Sequence, residues 1–521
     1  MSPVRFCEVP AVPMEQVPQV CGGEIASAFA GYLSDESRLI GSAERLFFPE
    51  NTAHVAAVAA WAQKNGVALT VSGARTGITG GAVPRGGAVL SCERLRSLGP
   101  VVQSGGGYVL PAGAGVTIKD IGEALASRSV DGLPDVPLFY APDPTETTAQ
   151  VGGTIACNAS GARTYRYGAT RRHIRALTVV LADGSVLNLS RGEAAFDRDG
   201  RMAFELPRGT IDVALPRVRR PAVRKDVAGF YSEPGMDAVD LFIGSEGVIG
   251  IVTEAELVLT AEPAERISAL IFAPEEAAAM NIVRALRNAA VAVEAMEYFD
   301  ARSLALLHNK RSEDGAGSEI PPFPYPAGSA VFTEFACEGE SGVDEALDFL
   351  MSLVEGAGVP EDFTWVGTEA AESLRMKAFR HALPETVNSV IGRRKAGVPG
   401  IHKVGTDLAV PDGALDDFMA AHRRILEPFE YVVFGHIGDN HLHANILPRT
   451  EEELAGAKEA YRELVCETLR LGGTVAAEHG IGKLKTRYLA MMLPPDALAA
   501  MKAIKLALDP SGILCPGNVF K

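Results

Sequence analysis

Three glycine-rich segments, each beside a β-branched run, restrict this chain more than any other feature. The first, SGARTGITGGAVP (residues 72–84), follows the strand-like Val67–Val71. The second lies within YAPDPTETTAQVGGTIACNASGARTYRYG (residues 140–168), and the third, Gly244-Ser245-Glu246-Gly247, precedes Ile249-Gly250-Ile251-Val252. Only glycine lets main chain lie directly against another surface, and clustered backbone N–H groups in such turns form a cradle for a pyrophosphate. Gly73, Thr76, Gly77, Gly80 and Gly81 supply that cradle in the first segment; Gly152, Gly153, Asn158, Ser160, Gly161 and Tyr167 extend it in the second. The spacing is not the GxGxxG dinucleotide fingerprint and no helix opens directly behind the first loop, so a Rossmann reading fails. One such loop would be a plain turn. Three of them, each at a strand, suggest one extended ligand held by main-chain contacts.

The local pattern supports a mixed α and β chain. Asn51 and Thr52 offer caps for a helix with Val55, Val58 and Trp61 at helical spacing and Gly66 at its end. A second capped amphipathic helix opens at Thr117, and Asp183-Gly184 joins two short strands in a hairpin. From about residue 263 strands and helices alternate: Ile267–Phe272, Pro274–Ala289, Val291–Tyr298, Ser329–Cys337, Val343–Glu355, His402–Val410, Ala414–Phe429, then strands near Tyr431–Phe434 and Leu442–Leu447. This predicts an antiparallel sheet with helices on one face. Gly- and Pro-rich residues 315–328 read as a surface loop.

Four of the ten histidines, His436, His441, His443 and His479, fall within a short stretch near the C-terminus. His436 ends a strand, Gly438-Asp439-Asn440 makes a turn, and His441 and His443 return on the next strand. Cross-strand partners, and residues two apart, share a face, so the three imidazoles can converge, with Glu478-His479 closing the group. Isolated histidines (His54, His173, His308, His422) are packed residues by the same reasoning. Two histidines and a glutamate with an open position make a catalytic metal site. Nearby, Arg380, Arg393, Arg394, Lys395 and Lys403 form a basic stretch; an arginine fork matches a carboxylate, whereas Arg393–Lys395 read as a solvated turn.

In this order, SGARTGITGGAVP, PDPTETTAQVGGTIACNASG, YGATRRHIRALTVVLADG and GSEGVIGIVTE resemble the FAD-binding domain of the vanillyl-alcohol oxidase/p-cresol methylhydroxylase superfamily. With GHIGDNHLHANILP, EHGIGKLKTRYL and IKLALDPSGILCPGNVF, the chain resembles the D-lactate/D-2-hydroxyglutarate dehydrogenase and glycolate oxidase branch over roughly residues 45–521. The resemblance implies an α+β protein: a two-lobed FAD-binding domain (residues 1–262), a ferredoxin-like antiparallel-sheet cap domain (263–475) and a C-terminal segment returning to the flavin (476–521). It adds Ser72, Ala74, Arg75, Pro142, Thr147, Glu246, Gly247, Ile251, Val252 and Asn518 to the cofactor contacts. Relatives with covalent flavin carry a His in the first loop; Gly73-Ala74-Arg75-Thr76 has neither His nor Cys, so the expected FAD is non-covalent. Further implications are a divalent metal on His436, His443 and Glu478 (zinc, with manganese or iron as alternatives), His479 as base, Arg380 on the substrate carboxylate and Lys403 as a second contact. The implied reaction oxidises a small, D-lactate-like 2-hydroxy acid by hydride transfer to flavin N5, with the metal assisting alkoxide formation. His441 stands where the family carries a substrate-facing Asn, and Pro384 where relatives specific for 2-hydroxyglutarate carry a hydroxyl, so substrate identity stays open. A non-redox flavoenzyme of the alkylglycerone-phosphate synthase type and a flavin-free His/Glu metallohydrolase are the alternatives.

Charge and cysteine content bear on partners and compartment. With 65 acidic and 49 basic residues, the net charge of −16 disfavours nucleic acid and anionic lipid. A small anionic substrate then needs a local basic pocket. Seven scattered cysteines with no cluster or ribbon spacing predict a reducing cytoplasm. No run approaches membrane-spanning length. The electron acceptor (electron-transfer flavoprotein, quinone, cytochrome or oxygen) is undetermined, and a homodimer is compatible with the sequence.

Overall fold

A computed structural model of the protein describes residues 3–521. Local rules govern the first lobe. Asn51 accepts a hydrogen bond from the His54 backbone N–H to start the helix Thr52–Asn65, and Gly66 closes it in the left-handed region at φ 63°. Thr117 and Asp120 form a reciprocal capping box on the helix Ile118–Ala126. The hairpin at Asp183-Gly184 joins Ile174–Val180 to Val186–Ser190.

Two sheets build this part of the chain. A four-stranded sheet runs in the order Gln19–Cys21, Arg45–Phe47, Ala88–Ser91, Leu69–Ser72. A nine-stranded sheet has Ile251–Ala261 near its middle, paired with Ile174–Val180 on one side and Gly107–Gly113 on the other. The C-terminal residues return to the smaller sheet: the Leu69 N–H donates to Ile513 and the Cys515 N–H to Leu69, beside strand Leu69–Ser72.

The chain leaves the nine-stranded sheet at Ala261 and enters an eight-stranded antiparallel sheet at Glu265. Its central order is Glu265–Ala273, Ser329–Cys337, Ala292–Asp300, Tyr431–Gly435, His441–Ile446. Helices cover both faces, not the single face that the pattern predicts. Ile267, Ala269 and Ile271 pack in one core with Ile282, Val283 and Leu350, whereas Leu270, Phe272 and Phe332 pack in another with Leu304, Phe379 and Leu383. The strand Glu265–Ala273 is buried continuously from Ile267 onward, as a strand covered on both sides must be. The helix expected from Pro274 begins at Glu276, with Glu275 in extended backbone before it.

A second departure shapes the site. The expected strand His402–Val410 is broken into Val404–Gly405 and Leu408–Ala409, both paired with His441–Ile446. The interruption is Thr406-Asp407, whose side chains are committed elsewhere: the Thr406 hydroxyl accepts from the Ala444 N–H and donates to the Leu442 carbonyl.

All seven cysteines are free thiols. No helix among the described residues is long and apolar enough to cross a membrane.

Candidate active site

A cavity of about 320 Å³, a volume typical of small-molecule sites, opens between the two sheets of the first lobe. Its walls include Gly73–Gly77, Gly152, Gly153, Ser160, Glu246, Gly247, Ile251, Val252 and Asn518, all expected cofactor contacts. A Cβ built at Gly77 or Gly153 meets no protein atom within 4 Å, so these glycines present bare backbone to the cavity. That is a cradle suited to a long, phosphate-bearing cofactor.

Seven expected contacts are not on its walls: Ser72, Gly80, Pro142, Thr147, Asn158, Gly161 and Tyr167. Several have other work. Asn158 takes φ 47° to end the helix Val151–Cys157, and its side chain accepts from the Arg171 N–H. The Tyr167 hydroxyl donates to Glu294 in the eight-stranded sheet, with its ring against Phe139. Gly161 passes so close to Asp143 that a Cβ would stand 1.9 Å from that carbonyl oxygen, which excludes any larger residue. Glu246 lines the cavity, but its two carboxylate oxygens accept from the Ile481 and Gly482 N–H groups at 2.6 Å each, which fastens the C-terminal segment to the first lobe.

The cavity ends at Glu478 and His479. Behind them the strand Tyr431–Gly435, a tight turn with Asn440 at φ 53°, and the strand His441–Ile446 bring the histidines together. Ring centroids of His436, His441 and His443 lie 4.4–5.6 Å apart, and His479 stacks on His443 at 5.4 Å. One ligand atom from each of His436, His441, His443 and Glu478 can be chosen so that all lie within 4.8 Å of one another.

The surrounding groups orient these side chains. His436 Nδ1 meets Glu297 at 2.5 Å, leaving Nε2 3.4 Å from Glu478 Oε1. His443 Nδ1 donates to the Thr406 carbonyl, leaving Nε2 3.8 Å from Glu478 Oε2. Outer acceptors that fix the tautomer in this way are characteristic of metal-binding histidines. Glu478 Oε1 accepts from the Lys225 ammonium at 2.6 Å and the Ser160 hydroxyl at 2.8 Å, while Oε2 is left facing the rings. Asp407 accepts from the Glu478 and His479 N–H groups and from Lys485.

Protonation follows from burial and these neighbours. Burial, reinforced by the adjoining imidazoles, brings His441 and His443 down to about 4, so both rings are neutral and their free nitrogens can ligate. Burial opposes charge on His436 as well, but Glu297 and Glu478 outweigh it and hold that ring up at about 9; positive charge is favoured there. Burial likewise opposes ionisation of Glu478, yet His436, Lys225 and His441 keep its carboxyl well below the usual range. A borderline imidazole and carboxylate donor set of this kind suits zinc, manganese or iron. His441 Nδ1, buried and without a hydrogen-bond partner, adds a free lone pair to it.

Arg380 lies on the helix Ala370–Lys395, which continues through Pro384, with its guanidinium 3.5 Å from Glu297 Oε2. Arg380, Glu297 and His436 thus form one row into the cluster. Lys403 is half-buried near Arg38, without a carboxylate within 4 Å among the described residues. Arg393, Arg394 and Lys395 are not the expected solvated turn but the last turn of this helix; Arg393 pairs with Glu313, and Arg394 is half-buried against Glu430.

Sequence reasoning missed Asp407, Lys225 and Glu297. Lys225 and Asp407 sit in segments with ordinary composition, and only their total burial marks them.

A family model described as FAD binding domain matches residues 43–190, and one described as FAD linked oxidases, C-terminal domain, matches residues 262–519. A D-2-hydroxyglutarate dehydrogenase of Xanthomonas citri is 29% identical over 91% of this chain and 88% of its own length. Glycolate oxidase subunit GlcD of Bacillus subtilis is 28% identical with the same coverage, and a D-lactate dehydrogenase of Anaerostipes hadrus is 27% identical over 96% and 94%. Among solved structures, an alkyldihydroxyacetonephosphate synthase superposes with a TM-score of 0.63 over 98% of this chain and 88% of its own, at 14% identity, which speaks for the fold alone.

Proposed function

We propose a reaction for this chain from one premise: it belongs to the FAD-linked oxidases of the vanillyl-alcohol oxidase/p-cresol methylhydroxylase superfamily and is an FAD-dependent 2-hydroxy-acid dehydrogenase. The observation that carries the site assignment is the junction at Glu478-His479. The glycine-lined cavity and the imidazole cluster meet there, so a substrate beside His479 faces both.

The substrate is a small 2-hydroxy acid, D-configured by analogy with the named relatives. Arg380 binds its carboxylate through a planar fork. His479 takes the proton of the 2-hydroxyl; 28% of its side-chain surface is exposed toward the cavity, and Asp407 Oδ2 stands 3.6 Å from its Nδ1 to orient the ring. Burial, partly offset by Asp407, lowers the His479 pKa and keeps the ring neutral, as a base must be. The glycine-lined cavity would hold FAD, which would supply the acceptor for the hydride leaving C2. His436, His443 and Glu478 would hold a divalent cation, with zinc first by donor set, and such a cation would supply Lewis acidity toward the 2-hydroxyl. Covalent attachment of the flavin is disfavoured: burial pushes the two cavity thiols, Cys92 and Cys157, up to about 12, where they remain protonated and unreactive. The free cysteines favour a reducing compartment, which supports a cytoplasmic setting.

Anaerobic mixing with a panel of D- and L-2-hydroxy acids tests this reading. The flavin should bleach with one enantiomeric series, and chelation should stop bleaching while the protein stays yellow. Full retention of flavin colour with every acid would exclude the dehydrogenase reaction.

A further inference from the structure

We infer that His441 is a fourth metal ligand, which makes the centre a three-histidine, one-carboxylate site. The inference rests on the metal reading above and concerns the residue that departs from the family pattern.

The Thr406 carbonyl can only accept, so His443 Nδ1 carries the hydrogen and Nε2 is a bare lone pair 3.8 Å from Glu478 Oε2. His441 repeats the arrangement with its nitrogens exchanged. Its Nε2 stands 3.1 Å from Asp407 Oδ1, and its Nδ1 lies 3.7 Å from Glu478 Oε2. Asp407 is an acceptor already holding the Glu478 and His479 N–H groups, so the His441 hydrogen belongs on Nε2 and the lone pair on Nδ1. Two imidazole lone pairs therefore face the one carboxylate oxygen that no hydrogen-bond donor occupies. Acceptors gathered in this way repel one another in a buried site unless a cation lies among them.

Burial separates His441 from a substrate-contact role. Its side chain is 0% exposed, against 28% for His479, and its ring lies between Asp407 and Glu478 behind the cavity wall. A packed structural histidine would satisfy its ring nitrogens with hydrogen bonds, whereas His441 Nδ1 faces Glu478 Oε2 and has no hydrogen-bond partner among the described residues. The chemical consequence is a nitrogen-rich donor set that favours zinc over magnesium or calcium.

The test uses the full-length flavoprotein, stripped of metal by chelation and reloaded with zinc. X-ray absorption at the zinc edge should count three imidazoles per zinc; this needs no variant. In parallel, His441→Asn should lower zinc affinity by on the order of 100-fold, a loss at least as large as that from removing an outer partner, and should change the visible bands of the cobalt-substituted protein. A count of two imidazoles, or unchanged affinity and cobalt bands in a folded H441N protein, would overturn the fourth ligand and leave the two-histidine centre standing. Failure of the wild-type protein to take up stoichiometric zinc overturns both.

Discussion

Asp407 Oδ1 accepts a hydrogen bond from the backbone N–H of Glu478 at 2.9 Å, and this contact sets where the C-terminal segment presents its two functional side chains. The second oxygen accepts from His479 at 3.0 Å and from the buried ammonium of Lys485. One carboxylate in a broken strand therefore fixes the cavity wall, the base and the cluster together.

Asp407→Asn should be severely destabilising. The amide can accept one of the two backbone bonds, but it turns donors toward the others and leaves Lys485 buried without its counter-ion. Removal of one partner of a buried pair costs about 3–5 kcal/mol, which urea unfolding would read as a large drop in midpoint. An unchanged midpoint would mean that the clamp is dispensable.

Arg380→Lys retains the charge and loses the fork. For a 2-hydroxy acid, kcat/KM should fall roughly a hundredfold, equivalent to about 3 kcal/mol for hydrogen bonds to a charged group. The corresponding 2-hydroxy amide, without a carboxylate, should lose far less. Equal losses on acid and amide would assign Arg380 to holding Glu297 alone.

Glu246→Gln places an NH2 group against one of two backbone N–H donors that now meet carboxylate oxygens at 2.6 Å. We expect about 2–3 kcal/mol of lost stability, cleavage in the 476–521 region at lower protease concentration, and FAD release at a lower temperature. Wild-type behaviour in all three assays would show that the C-terminal segment is held by other contacts.

His422 gives a pH dependence with a defined sign. Burial lowers its pKa in the folded protein to about 4, against 6.5 as the ordinary value. Above pH 6.5 the ring is neutral whether the chain is folded or not, and its contribution to stability is constant. Between about 6.5 and 4 the unfolded chain takes up a proton that the folded one refuses, so stability falls progressively, by about 3 kcal/mol across the window. His422→Met should flatten this part of the stability profile. An identical acid limb in the variant would shift the effect to other groups.

Much of the fold was legible because it obeys short-range rules. Asn51, Thr117 and the Asp183-Gly184 turn each act through hydrogen bonds or dihedral angles spanning a few residues, and each has the predicted role. The convergence of His436, His441 and His443 was legible for the same reason, since a hairpin fixes which side chains share a face. The helices on both faces of the cap sheet were less legible, because alternation disappears when both sides of a strand are buried.

The sequence by itself determined the glycine cradle, the hairpin of imidazoles and the family to which they belong, because these are encoded in contiguous residues and their backbone geometry. Only the tertiary structure decided that Asp407, Lys225 and Glu297 complete the site, and that His441 is sealed behind Glu478 and not exposed to the cavity. Lys225 and Glu478 are 253 residues apart and touch at 2.6 Å. Such pairs leave no periodicity or spacing in the chain, since their interaction energy exists only once folding has excluded the water that would otherwise solvate each charge separately.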